Sequence, residues 1–229
     1  MSTKKPTAKP TKKPTLTRTS PIEERAPEII RRLSKAYPDA HVALNFTNAL
    51  ECLIATILSA QCTDARVNMV TKDLFKKYRT PQDYLDVSED EFKDDIRSTG
   101  FFNQKTASIR GACRRIVDAY GGEVPSTMED LITLPGVARK TANIVMGHAF
   151  GKVEGIAVDT HVRRVSNKLG FSDTQDTDKI ELDLMRLIPK KKWFDFSYVI
   201  IDHGRAICHA KKPQCADCVV NDLCPSSLV

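Results

Sequence analysis

The chain has 229 residues, of which 41% are hydrophobic and 28% are charged, proportions typical of a globular protein with a buried core. It contains neither an apolar run of about 20 residues, as a membrane helix requires, nor the apolar centre of a signal peptide. We therefore expect a soluble protein in a reducing compartment, with no membrane partner.

The net charge of +6 comes from the first 20 residues. This segment repeats Lys-Pro-Thr three times and has six basic residues but no acidic one. Removing those six from the 35 basic residues leaves 29, which equals the number of acidic residues. Because the segment also lacks the apolar residues that a core needs, residues 1–20 are predicted to form a disordered basic tail.

Helix start signals recur from Ser20 onward. A serine or asparagine followed three residues later by glutamate favours a helix N-terminus; this pattern occurs at Ser20, Asn48, Ser88 and Ser126. Residues 49–58 are apolar almost all round, as expected of a central helix. No alternating run is long enough for a sheet, so the sequence predicts an all-α fold of about ten short helices.

A helix-hairpin-helix is predicted around Pro135 and Gly136, in the segment LPGVARKTANIV. A tight turn there would leave the backbone N–H groups of Gly136, Val137 and Ala138 unpaired at the positive end of the second helix. A phosphate oxygen can accept from such groups. This contact binds the backbone of a nucleic acid without reading its bases.

Lys140 is predicted to lie in the first turn of the second hairpin helix. The helix dipole and the neighbouring Arg139 disfavour a charged amine, and an uncharged amine can attack an electrophilic carbon to form a Schiff base. A surface lysine near a loop has the same local pattern, so spacing alone does not establish this role.

Asp159 begins another predicted helix, in the segment AVDTHV. A carboxylate at this position is a common N-cap. At the mouth of a cleft, it could also oppose Lys140, stabilise positive charge that develops on a sugar, or transfer a proton through water.

Four of the seven cysteines lie near the C-terminus, at Cys208, Cys215, Cys218 and Cys224. Such crowding in a reducing compartment indicates metal ligation rather than disulfides. Four thiolates suit either a [4Fe-4S] cluster or a structural zinc ion, and the spacing leaves both open. The other three cysteines have apolar or helical surroundings and are predicted to be core residues.

Four motifs together resemble the endonuclease III family: LSAQCTD, LPGVARKTAN, AVDTHV and the cysteine spacing. The resemblance extends from about residue 21 to residue 226. It implies two α-helical domains with an active cleft between them. Residues 42–152 would form a six-helix barrel, and residues 21–41 with 153–229 a [4Fe-4S] cluster domain.

The resemblance also implies a bifunctional DNA glycosylase and abasic-site lyase that removes oxidised pyrimidines from double-stranded DNA. By this likeness Lys140 is the nucleophile and Asp159 the catalytic aspartate, while the four C-terminal cysteines bind the cluster. Gln61 and Phe101 match two residues that fill the space left by the extruded nucleotide, although the second is usually leucine. A monomeric cytoplasmic enzyme is expected.

Ala138 departs from the family pattern, which commonly has a second hairpin glycine there. If the position required a positive φ, alanine would strain the hairpin and weaken DNA binding. Three rival functions also stay open: the adenine-removing branch of the superfamily, which lacks the lysine, a non-enzymatic DNA-binding module, and an electron carrier. Only the lyase explains the hairpin, Lys140 and the cysteines together.

Overall fold

The structure, a computed structural model, describes residues 15–229. All regular elements in this range are helical, and it contains no strand, which confirms the predicted all-α class. The described α-helices are α1 (Ile22–Ala36), α2 (Ala49–Leu58), α3 (Asp64–Lys77), α4 (Asp83–Asp86), α5 (Glu89–Ile96), α6 (Phe102–Tyr120), α7 (Met128–Leu131), α8 (Arg139–Phe150), α9 (Thr160–Leu169), α10 (Thr177–Leu187) and α11 (Trp193–Ala206).

These helices pack around two hydrophobic cores. The first core is formed by α2 to α8 and includes buried side chains from Leu44 to Met146. The second combines α1 with α9, α10, α11 and the C-terminal loop, with buried side chains from Ala26 to Leu223. Both ends of the described chain therefore contribute to the second core.

Helix α2 lies at the centre of the first core, as its sequence predicts. Its residues from Cys52 to Leu58 are all buried, and its principal packing partner is α8. Burial on all sides explains why this helix has almost no polar face. It also gives α8, the second hairpin helix, a rigid support.

The predicted helix starts are confirmed at two positions and wrong by one residue at two others. Asn48 and Ser88 cap α2 and α5, each accepting from the N–H three residues ahead. The caps of α1 and α7 are instead Pro21 and Thr127. Ser20 closes a preceding turn by accepting from the Thr17 N–H, so its hydroxyl is not used as a helix cap.

The basic tail is predicted at residues 1–20; residues 1–14 of it lie outside the described residues. Residues 18–20 form a turn, and Arg18 donates to the carbonyl of Val229 at 2.7 Å. Within residues 15–229, none of the helices combines the length and the hydropathy that crossing a bilayer requires.

Candidate active site

A cleft of about 550 Å³ is lined by residues from both cores. Lys140 reaches it from the first turn of α8, Asp159 from the start of α9, and Gln61 from the loop after α2. The fold therefore brings together three predicted site residues that are far apart in the sequence. Their shared cavity is large enough for a small organic group such as a base or sugar.

Lys140 is the second residue of α8 and is half-buried. The positive charge of its neighbour Arg139 is paired: the Arg139 Nε lies 2.9 Å from Oε2 of the buried Glu181 carboxylate. Hydrogen bonding to Glu181 raises the pKa of Arg139. Arg139 therefore contributes less positive charge around the Lys140 amine than the sequence alone predicts.

Asp159 is the N-cap of α9. Its Oδ1 accepts from the Val162 N–H at 2.7 Å, which fixes the carboxylate at the start of the helix. Within the described chain, Oδ2 has no hydrogen-bond donor from the protein. The capping role and a role in the cleft are thus compatible, since each can use a different oxygen.

The hairpin settles one open question and differs from the sequence prediction at one position. Ala138 is extended, with φ −93° and ψ 171°, so the position does not require a positive φ and alanine is not strained there. Val137 is buried, and its N–H donates to the Leu134 carbonyl at 3.1 Å, so it is not free to bind a phosphate. Among the described residues, the N–H groups of Gly136 and Ala138 have no protein acceptor.

Gly136 is the hairpin position that requires glycine. Its φ is +78°, which side chains rarely adopt, and an added Cβ would lie 2.6 Å from the Cβ of Ser108 on α6. The turn is therefore packed directly against α6. This packing gives the exposed hairpin N–H groups a defined direction.

Gln61 and Phe101 are the only non-glycine residues of the described chain with positive φ, at 51° and 48°. Phe101 is 57% exposed despite its large apolar ring. Both residues line a second cavity of about 200 Å³, together with Lys140 and Gly136. Strained backbone that persists in a folded protein is frequently associated with a functional site.

An ion pair links the two sides of the main cleft. Arg205 of α11 contacts Asp64 at the start of α3 at 2.9 Å, and both residues line the cleft. His161 also lines it, and burial lowers the pKa of this imidazole. The sequence interpretation did not predict the Arg205–Asp64 ion pair or the position of His161, because no local motif indicates which charged side chains meet across the cleft.

The four C-terminal cysteines surround a small cavity and are each half-buried. Burial raises the pKa of the Cys208, Cys218 and Cys224 thiols. Metal cations at this position would favour the thiolate form. Within residues 15–229, no three His, Cys, Asp or Glu side chains converge closely enough to bind one metal ion.

Basic side chains accompany these cysteines. The buried Arg25 of α1 donates to the carbonyls of Leu169 and Leu223, at 3.0 and 2.6 Å. Lys168 lies beside the cavity, and its carbonyl is 3.3 Å from the Cys224 sulfur. An all-thiolate donor set with nearby cations fits the negative charge of a ligated iron-sulfur cluster.

Comparisons with known proteins agree with this geometry. Residues 54–190 match the model of the HhH-GPD superfamily base excision DNA repair protein. Residues 208–224, which include all four C-terminal cysteines, match the iron-sulfur binding domain of endonuclease III. The fold and site thus define a helix-hairpin-helix DNA repair glycosylase with a [4Fe-4S] cluster.

Individual relatives indicate which family within this superfamily the chain resembles. An endonuclease III from Synechocystis sp. is 51% identical over 90% of this chain and 94% of its own length. A solved non-covalent endonuclease III-DNA complex is 46% identical, with a TM-score of 0.85 over 90% of this chain and 96% of that chain. A trapped endonuclease III-DNA covalent intermediate has the same identity and coverage, with a TM-score of 0.86.

The chain belongs to the endonuclease III family, whose members are DNA glycosylases and abasic-site lyases of base excision repair.

Proposed function

We propose that this enzyme removes oxidised pyrimidines, such as thymine glycol, with Lys140 as nucleophile and Asp159 as its partner in the cleft. The observation that carries the proposal is the position of both residues on one cavity between the two cores. The related trapped covalent intermediate supports a reaction through an enzyme-DNA bond. A deoxyribose in this cavity would lie within reach of both side chains.

In the proposed reaction, the Lys140 amine attacks C1′ of the damaged nucleotide. The bond from C1′ to the base breaks, the base leaves with the electron pair and takes up a proton, and opening of the sugar ring gives a protonated Schiff base. Asp159 stabilises the positive charge that develops on the sugar. Loss of a C2′ proton then expels the 3′ phosphate, and water releases Lys140 by hydrolysis.

DNA binding in this proposal depends on the hairpin and on two inserted side chains. The free N–H groups of Gly136 and Ala138 donate hydrogen bonds to the oxygens of a backbone phosphate at the start of α8. Gln61 and Phe101 occupy the space that the extruded nucleotide leaves. Apolar wedges unstack base steps, and Phe101 has the exposure that this role requires.

The [4Fe-4S] cluster, bound through Cys208, Cys215, Cys218 and Cys224, supplies a rigid anchor for the C-terminal loop. That loop carries the exposed Lys211 and Lys212, which are suited to contact phosphates. We also propose that residues 42–152 form one domain, and residues 21–41 with 153–229 the other, in a monomeric enzyme. The two hydrophobic cores support this division.

Borohydride trapping on a duplex with an abasic site tests the assignment of Lys140. The wild-type protein, loaded with iron, is expected to form a stable adduct, and Lys140→Ala is expected to form none. Lys152→Ala is a matched control, because Lys152 lies just beyond the other end of α8 and donates to Ser126. An adduct with Lys140→Ala, or none with the loaded wild type, would overturn the assignment.

A further inference from the structure

Lys105 is a buried lysine that the proposed reaction does not use. It lies near the start of α6, is 4% exposed, and lines the cavity shared by Gln61 and Phe101. Burial lowers the pKa of its amine, as expected when a cation leaves water. Burying a charged amine is unfavourable unless it is hydrogen-bonded or paired, so the amine requires specific hydrogen-bond acceptors.

The Lys105 amine has two such partners in the backbone. It donates to the carbonyl of Leu58 at 2.7 Å and to the carbonyl of Thr99 at 2.8 Å. Leu58 ends α2, and Thr99 ends the 3-10 turn Arg97–Thr99. Carbonyls at helix ends lack partners within the helix and carry partial negative charge, so a cation binds them favourably.

These two carbonyls belong to the two segments that carry the inserted side chains. Gln61 follows Leu58 by three residues, and Phe101 follows Thr99 by two. Both inserted residues have a left-handed backbone, which persists only where the surrounding structure fixes it. The ammonium group of Lys105 therefore connects the two loops that contain Gln61 and Phe101, each of which has a strained backbone.

We propose that Lys105 is a positioning residue that holds Gln61 and Phe101 at a fixed separation, so that both enter the duplex together when the damaged nucleotide leaves. This inference rests on the proposed insertion of these two side chains. It assigns Lys105 to nucleotide extrusion rather than to the chemistry at the sugar.

The same helix offers a control for a merely structural role. Arg110 of α6 is also a partly buried cation that binds backbone carbonyls, those of Tyr84 and Val87, each at 2.8 Å. Its partners belong to the segment around α4, which does not line either cavity. Arg110→Met therefore removes a comparable set of hydrogen bonds without altering the loops of Gln61 and Phe101.

The test compares Lys105→Met with Arg110→Met in iron-loaded protein. A duplex with a tetrahydrofuran abasic analogue opposite 2-aminopurine reports insertion, because the fluorescence of 2-aminopurine rises when it unstacks. We expect Lys105→Met to lower this signal and to slow cleavage of a thymine glycol duplex by about tenfold or more. Borohydride trapping on a single-stranded abasic oligonucleotide needs no extrusion, so it should change by less than about twofold.

Arg110→Met should leave the fluorescence signal and the ratio of duplex to single-strand activity at wild-type values. Lys105→Arg keeps a cation with several donors and should recover part of the signal. If Lys105→Met does not fold with its cluster, Lys105→Gln is measured by the same ratio. Equal effects of the Lys105 and Arg110 variants, or equal losses on duplex and single strand, would overturn the inference.

Failure of the positioning role of Lys105 can be distinguished from failure of the proposed function. If wild-type protein gives no fluorescence increase, or if Gln61→Ala unstacks 2-aminopurine as well as wild type does, insertion by Gln61 itself is wrong. If both of these controls behave as proposed and only Lys105→Met is without effect, the positioning role alone fails.

Discussion

Arg139 donates to both carboxylate oxygens of Glu181, from Nε at 2.9 Å and from Nη2 at 3.2 Å. Arg139 begins α8, directly before Lys140, whereas Glu181 belongs to α10 of the second core. Asn143 of α8 donates to the same carboxylate at 2.8 Å. These three side chains therefore link the helix of the proposed nucleophile to the opposite core.

Glu181→Ala should destabilise the protein by about 2 kcal/mol, because the buried amide of Asn143 loses its acceptor. Arg139 adds little to this value, since its side chain is 39% exposed and water can replace the carboxylate. Urea unfolding measures the difference. Asp73→Ala, which breaks an exposed pair with Lys76, should cost less than about 0.5 kcal/mol. Equal costs would contradict a linking role for Glu181.

The hairpin gives a second prediction, from two neighbouring positions with opposite backbone requirements. Gly136→Ala should weaken binding to an abasic-analogue duplex by about tenfold, because positive φ and the Ser108 contact oppose a side chain. Ala138→Gly should change affinity by less than about twofold, since the backbone there is extended. Fluorescence anisotropy at fixed salt measures both. A large gain in affinity for Ala138→Gly would show that alanine does strain the hairpin.

Much of the fold and site follows from local sequence signals. Apolar periodicity and capping residues predict the all-α class, and the central position of α2 follows from its apolar surface. Family motifs indicate Lys140, Asp159 and the four C-terminal cysteines, and the structure brings the first two to one cleft. These signals succeed because each depends on residues that are close together in the chain.

The buried charges could not be predicted in this way. Glu181, Lys105 and Arg25 each occur in an ordinary helical pattern, and their partners are distant segments that only the folded chain brings near. The same reason explains why the sequence left the backbone conformation of Ala138 open, since its dihedral angles depend on how the turn packs against α6. A motif identifies residue types, but it does not specify backbone angles or long-range partners.

The C-terminal loop gives a third prediction. Cys224→Ser should lower the iron content and the absorbance at about 400 nm, because a hydroxyl is a poor ligand for an iron-sulfur cluster. Cys62→Ser should leave both unchanged, since Cys62 lies in the loop after α2 and not beside the cluster cavity. Iron analysis and the visible spectrum of each purified variant are the measurements. Loss of iron in the Cys62 variant alone would contradict the ligand assignment.

A further contact between the two cores involves a histidine. His148 of α8 and Tyr198 of α11 are joined by a hydrogen bond of 2.6 Å. The rings of Phe46 and Phe194 pack against the imidazole. Burial lowers the pKa of His148 below its ordinary value of 6.5, so the folded protein binds a proton there less readily than the unfolded chain does.

The fourth prediction follows from this difference. Well above pH 6.5 both states are neutral at His148. As the pH falls through 6.5 the unfolded chain binds a proton there more readily than the folded protein does, so folding stability falls with decreasing pH. Between about pH 6.5 and about pH 5.5, replacing His148 with glutamine should reduce this fall by up to about 1 kcal/mol. Urea unfolding of both proteins at each pH measures it, and subtraction removes the contribution of the other histidines. Identical pH slopes would mean that His148 becomes protonated as easily in the folded protein as in the unfolded chain.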